Sequence, residues 1–199
     1  MVDQQKEKIS ESKDFYQRLK SHSKQMFDEY RRLLDDLVNT NYPHEIENEN
    51  YAHALLLTGT MFRHTKQSCC MLTGPEGNDF LKELDEEFGE ALQRLKRNNG
   101  QFRLVLLDSR NTDYLSEKEE KYPEVLKIEK ASLLEGEAME HFIVCDSQMV
   151  RLEEPHGELG PDDPADQVHA KVYFNDKPRA KTTKESFDGI WNHLRRADN

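Results

Sequence analysis

Apolar side chains between residues 10 and 39 recur at alternating three- and four-residue steps. Phe15, Leu19, Met26, Tyr30, Leu33 and Leu37 form the stripe, with His22 among them and charged residues on the other face. That period predicts one long N-terminal helix from about Ser10 to Asn39, uninterrupted by Gly or Pro. The spacing is close to that of a coiled coil, so the stripe suits either packing against the rest of the chain or pairing with a second copy. Asn39-Thr40-Asn41-Tyr42-Pro43 ends it, because proline forces the residue before it out of helical geometry.

The pattern then alternates between helical and strand periods. Ala52, Leu55, Leu56, Gly59, Met61 and Phe62 predict a helix over about 50–66, followed by a short apolar run, Ser68 to Leu72, stopped at Gly74-Pro75. The run reads as a buried strand. Phe80, Leu81, Leu84, Phe88, Ala91, Leu92 and Leu95 mark a helix to about Arg97, capped by Asn78 or Asp79 and closed by Asn98-Asn99-Gly100. Phe102 to Leu107 is a second buried strand. Residues 109–123 are polar and irregular, with room for a short helix, and 124–129 reads as an edge strand. His141 to Asp146 is a central strand, turning at Ser147-Gln148 into Met149–Leu152 as a hairpin. An acidic, Pro- and Gly-rich loop runs from Glu153 to Gln167. Val168 to Phe174 is the last strand, and Phe187, Ile190, Trp191 and Leu194 stripe a terminal helix over about 182–196. No internal repeat is visible.

This order indicates an α/β fold with parallel strands in a mixed sheet flanked by helices. Two units are expected: an N-terminal helical extension, 1–48, and an α/β domain, 49–199. In 199 residues, 35% are hydrophobic and 34% charged, as in soluble globular proteins. No apolar run nears the roughly 20 residues of a membrane helix. The polar start, Met1 to Glu7, lacks a signal-peptide core, so a cytoplasmic protein without a membrane partner is expected. The net charge of −11 argues against nucleic acid as a partner. Lys177, Arg179, Lys181, Lys184, Arg195 and Arg196 form the one basic concentration, and they read as a solvated helix start and a basic helix end. Cys69, Cys70 and Cys145 lie in apolar strand-like runs and read as buried free thiols rather than a disulfide framework.

The candidate chemistry lies near the C-terminus. His169-Ala170-Lys171, followed by Val172-Tyr173-Phe174-Asn175 and Asp176, is a literal His-x-Lys-x4-Asp. Phe187-Asp188-Gly189-Ile190-Trp191 matches a Phe-x-x-x-Trp helix that closes one known domain type. With the element order over residues 50–199, the chain resembles a single phospholipase D-like domain. The resemblance implies an active form in which two motifs meet, from two domains or two chains. One histidine forms a phospho-enzyme, its counterpart protonates the leaving group, and lysine with a downstream Gly-Ser-x-x-Asn holds the phosphoryl oxygens.

Two registers place this motif. The literal one makes His169 the nucleophile, Lys171 the phosphate clamp and Asp176 the support, in a metal-independent phosphodiesterase or nuclease acting as a dimer. Its sequel fails: Thr183-Lys184 stand at the Gly-Ser positions, and too little chain follows for the remaining elements. The other register places the motif on the strand ending at Asp146. There the histidine position holds Met139, the lysine position His141, the Gly-Ser pair Glu153-Glu154 and the Asn position Gly157. By that register the domain is degenerate and non-catalytic, a binding, regulatory or assembly module with an unidentified protein partner, and a homodimer fits both the family habit and the helical stripe.

No metal or cofactor is expected. His53 and His64 lack the four-residue spacing that brings two ligands together. Glu153, Glu154, His156, Glu158, Asp162 and Asp163 crowd one loop without the ordered spacing of a calcium site. Gly74-Pro75-Glu76-Gly77 lacks the lysine of a phosphate-binding loop and reads as turn chemistry.

Overall fold

The computed structural model describes residues 24–48, 50–74, 77–107, 112–131, 139–156 and 169–197. Helix α1 (Lys24–Asn39) leads into strand β1 (His44–Asn48), helix α2 (Tyr51–His64) and strand β2 (Ser68–Thr73). Helices α3 (Gly77–Glu83) and α4 (Asp85–Arg97) precede β3 (Gln101–Leu106), α5 (Asp113–Lys121) and β4 (Leu126–Lys130). Then come β5 (Met139–Cys145), β6 (Met149–His156), β7 (Ala170–Phe174) and α6 (Lys177–Ala197).

The strands form one mixed sheet in the order β1-β7-β6-β5-β2-β3-β4. β2, β3 and β4 are parallel, whereas β5, β6, β7 and β1 each pair antiparallel with their neighbours. The expected α/β architecture, a mixed sheet flanked by helices, is therefore present. Alternation along each strand divides the core. Cys69, Met71, Ile143, Cys145 and Val172 face helices α1 to α5, while Cys70, Leu72, Phe142, Val144 and Val150 face α6. On that second face, Phe187 stacks on Trp191 at 5.6 Å, and the Arg103 guanidinium lies 5.1 Å and 5.5 Å from the two ring centres.

Local signals explain several element ends. The Asn50 side chain accepts from the His53 backbone N–H at 2.9 Å and caps α2. α4 ends at Asn98, with Asn99 in the left-handed region at φ 53°. Gly100 follows because the chain runs so close to the preceding loop that a Cβ there would sit 2.3 Å from the Gln67 carbonyl oxygen.

Some expectations change. The long helix expected at the N-terminus is described only from Lys24, and Phe15, Leu19 and His22 lie outside the described residues. The longest described helix is C-terminal, the 21-residue α6. It begins at Lys177 rather than near Thr182, because Asp176 accepts from the Arg179 N–H at 3.0 Å and Pro178 is tolerated in a first turn. In α1 Phe27, Leu34 and Val38 are buried and, of the expected stripe, Tyr30 and Leu37 pack against the same core, while Met26 (67% exposed) and Leu33 (51%) face outward. The helix expected over 78–97 is two helices interrupted at Leu84, and Asn78 accepts from the Leu115 N–H on α5 instead of acting as a simple cap. Strand β1 falls where the sequence pattern predicts no element. Its sequence His-Glu-Ile-Glu-Asn offers one apolar side chain, and the strand exists because β7 has a free edge to pair with.

Several contacts tie residues 24–48 to the rest of the chain, among them the Tyr30 hydroxyl 2.8 Å from His53 Nε2. β1 pairs with β7. Asp35 accepts from Arg63 at 3.1 Å and lies 2.9 Å from His64 Nε2. The Asn175 amide donates to the Leu37 carbonyl at 2.9 Å. Among the described residues no helix is long and apolar enough to cross a membrane.

Candidate functional site

The two registers correspond to two places on the sheet, one buried and one open. The buried place is built by β5 and β6. Their antiparallel register sets Met139 opposite His156 and His141 opposite Glu153. His141 Nδ1 lies 3.3 Å from a Glu153 carboxylate oxygen, and the other Glu153 oxygen is 2.5 Å from Arg151 Nη1. His141 and Arg151 are each 6% exposed and Glu153 is 7% exposed. The strands put all three on the face that carries Ile143, Cys145 and Met149, under helices α2 and α3. The Arg151 guanidinium lies 5.9 Å from the Phe80 ring centre, and Tyr51 meets Phe80 edge-on at 5.9 Å. Register continues the row through Ala170 on β7 to the buried Asn48 on β1, beside the carboxyl end of β2.

Asp146, at the opposite end of β5, does not join this group. It adopts φ 50°, and its carboxylate accepts from the backbone N–H groups of Lys66, Gln67 and Ser68 at 2.6, 2.8 and 2.9 Å. It therefore ties the β5–β6 turn to the start of β2. Met139 is half-buried at the start of β5. Glu154 points away from Glu153 by strand alternation, and its N–H donates to the His169 carbonyl at 2.9 Å. Gly157, Glu158, Asp162 and Asp163 lie outside the described residues.

The open place is the sheet face beside β7. His169 and Lys171 project to the same side and line a shallow hollow of about 530 Å³ with Glu47, Glu140, Glu154 and Leu152. Lys171 Nζ donates to Glu45 at 2.8 Å and lies 3.7 Å from Glu47. The hydrogen bond and charge of Glu45 raise its pKa above the ordinary lysine value. Asp176 is not a lining residue of this hollow. Its carboxylate serves Arg179, accepting from the backbone N–H and from Nε at 3.1 Å. The structure thus brings His169 and Lys171 together and assigns Asp176 to the start of α6.

The basic side chains of α6 are largely matched by acids. Lys181 lies 3.9 Å from Glu185, Lys184 2.7 Å from Asp188 and Arg195 3.6 Å from Glu129. Among the described residues, no cluster of three His, Cys, Asp or Glu side chains has the arrangement of a metal site.

In sequence, Arg151 reads only as a hairpin residue, and Glu153 as a loop acid standing at a degenerate Gly-Ser position. A usable signal is present: Met149, Arg151 and Glu153 share strand parity, so a cation and an anion two residues apart face the same side as an apolar neighbour.

No known family profile and no curated protein matches the chain. Solved structures do. TrmBL2, described as an archaeal chromatin protein with a novel mode of DNA binding, superposes with a TM-score of 0.55 at 16% identity, over 90% of this chain and 66% of that one. This chain therefore spans slightly under two thirds of TrmBL2. NucT from Helicobacter pylori gives 0.53 at 9% identity, over 76% of this chain and 97% of its own. Nuc from Salmonella typhimurium, a phospholipase D family member, gives 0.48 at 17% identity over 76% and 95%. The fold is similar to that of TrmBL2 and NucT.

The expectation drawn from net acidity, that nucleic acid is not a partner, is corrected by the TrmBL2 likeness. A fold similar to this one occurs in a DNA-binding chromatin protein. Net charge averages the whole surface, whereas binding answers to the field at one face.

Proposed function

We propose that this chain is a non-catalytic phospholipase D-like module that binds a partner in regulation or assembly. The observation that supports this reading is the buried His141–Glu153–Arg151 group, which includes two positions that the strand register of the resemblance assigns to the motif. In an active relative the two leading positions would hold a nucleophilic histidine and a phosphate-binding lysine. Here Met139 has no nucleophilic nitrogen, His141 is engaged by a carboxylate, and Glu153 puts negative charge where a phosphate would need a donor. The open place gives little support to the hydrolytic alternative. Glu47, Glu140 and Glu154 surround His169 and repel a phosphodiester, while Lys171 is already engaged by Glu45.

The likeness to a DNA-binding chromatin protein makes duplex DNA the first ligand to test. A homodimer belongs to the same reading. Met26 and Leu33 stand one heptad apart on the outer face of α1, and the sequence continues the heptad back to Leu19.

Hydrolysis of a bis-aryl phosphodiester in EDTA, with wild type and His169→Ala, separates module from enzyme. The expected result is no turnover above buffer in either. Turnover in wild type that disappears in His169→Ala would establish the enzyme. Fluorescence anisotropy with duplex DNA over a salt series tests the ligand, with expected affinity falling as salt rises. Sedimentation of wild type and Met26→Glu/Leu33→Glu tests the dimer, with the variant expected to run as a monomer.

A further inference from the structure

Cys69 and Cys145 face each other across the β2–β5 ladder, on the core face covered by helices α1 to α5. Their sulfur atoms are 3.2 Å apart, inside van der Waals contact, and neither residue is exposed. The ladder makes them a non-hydrogen-bonded pair, because the bond just outside them runs from Asp146 N–H to the Ser68 carbonyl at 2.9 Å. Such pairs bring Cα atoms to about 4.5 Å, the closer of the two antiparallel spacings. That lies at the short end of the roughly 4.4–6.8 Å range a disulfide spans. Cys70 is excluded by strand alternation. It points to the α6 face, where its sulfur lies 3.2 Å from Arg103 Nη2.

We propose that Cys69 and Cys145 are an oxidation site, closing to an intrachain disulfide when the chain meets hydrogen peroxide. One thiolate attacks a peroxide oxygen, the O–O bond breaks, and water leaves after proton transfer, giving a sulfenic acid. The second thiol attacks that sulfur; the S–S bond forms, the S–O bond breaks and a second water departs. The two thiols lose two electrons and two protons, and the peroxide is reduced to two waters.

Burial sets the rate. Removal from water pushes the Cys69 thiol well above its ordinary pKa, and the Cys145 neighbour adds to the shift. The thiolate is the reactive form, so oxidation waits for local opening of the ladder. A bridge once closed is shielded from reductants by the same packing. It would fasten the antiparallel strand β5, with Met139 and His141 at its far end, to the parallel strand β2.

The test exposes the full chain to hydrogen peroxide, with and without urea below the unfolding transition. Free thiols are then blocked under denaturing conditions and the chain is digested with trypsin. Cleavage after Lys66, Lys82, Lys130 and Arg151 leaves Cys69 and Cys70 in one peptide and Cys145 in another. Mass spectrometry should find the two peptides joined, lighter by two hydrogens than their sum, in wild type and in Cys70→Ser. The product should form faster in urea and vanish in Cys69→Ser and Cys145→Ser, with circular dichroism confirming the fold. Cys69→Ala and Cys145→Ala replace either serine variant that fails to fold. Loss of the joined peptide in Cys70→Ser overturns the assignment, as does its absence from wild type once the urea arm makes both thiols reactive to the blocking reagent.

Discussion

The sheet carries two groups of similar composition, a histidine, a cation and carboxylates, and treats them in opposite ways. His141, Arg151 and Glu153 are sealed between strands and helices. Lys171, paired with Glu45, keeps 47% of its side chain in water, and His169 beside it is exposed. In the buried group each charge depends on its neighbour, because an unpaired charge in the interior costs several kcal/mol. In the open group, water and salt replace any partner that is removed. Similar residue types are therefore part of the fold in one place and interchangeable surface in the other.

Truncating Glu153 tests the buried side most severely. Glu153→Ala leaves the Arg151 guanidinium buried without its carboxylate and should cost about 3–5 kcal/mol, read from urea unfolding. The double change Arg151→Met/Glu153→Leu should recover most of that loss, because a well-packed apolar pair can stand in for a buried ion pair. If the single variant unfolds at the wild-type midpoint, the buried group contributes no more than the open one and the contrast fails.

Asp146→Ala comes next. Three backbone N–H groups at the start of β2 lose their acceptor, and partial solvation limits the expected cost to about 1–3 kcal/mol. Denaturation should show the loss without any change in ligand binding, since Asp146 lies at the far end of β5 from His141.

Acid should erode the part of stability held by Asp35. Burial alone would raise its pKa, but His64 and Arg63 more than offset this and hold it below the ordinary carboxylate value. A lowered folded value contributes stability above the unfolded pKa of about 3.9. That contribution is lost as pH falls through the folded value. Asp188, held low by Lys184 and Arg103 against burial, acts in the same sense. Thermal melts of wild type and Asp35→Asn from pH 6 to pH 2 should converge as the pH falls, and a constant gap would remove Asp35 from the acid limb.

The smallest effects belong to the open side. Lys171→Ala and His169→Ala should leave the urea midpoint unchanged within error. A clear drop in either would show that the exposed group supports the fold as strongly as the buried one does.

The elements with strong periods were legible in the sequence. β2, β3 and β5 announced themselves as short apolar runs, α2 as an apolar repeat, and the end of α4 by Asn98-Asn99-Gly100. β1 was invisible because an edge strand takes its stability from a neighbour's unpaired backbone, and His44 to Asn48 carries almost no apolar pattern. In α1 the stripe with Met26 and Leu33 stands out by its spacing, while Phe27, Leu34 and Val38, one residue round the helix, form the packed face. Two overlapping stripes cannot be ranked by period alone; the position of α2 ranks them. At the motif, spacing singled out His169, Lys171 and Asp176, but only the first two share a surface.

The sequence by itself determined most of the succession of helices and strands, though not β1 or the break at Leu84, together with the α/β class and the identity of residues at both candidate motifs. These follow from side-chain periodicity and turn chemistry, which act over a few residues. Only the tertiary structure decided which charges are buried, because burial depends on the register between strands distant in sequence and on the helices laid over them. Glu153 reads as a loop acid at a degenerate motif position until β6 pairs with β5 and brings it to His141. Lys171 reads as a phosphate clamp until β1 pairs with β7 and Glu45 engages it.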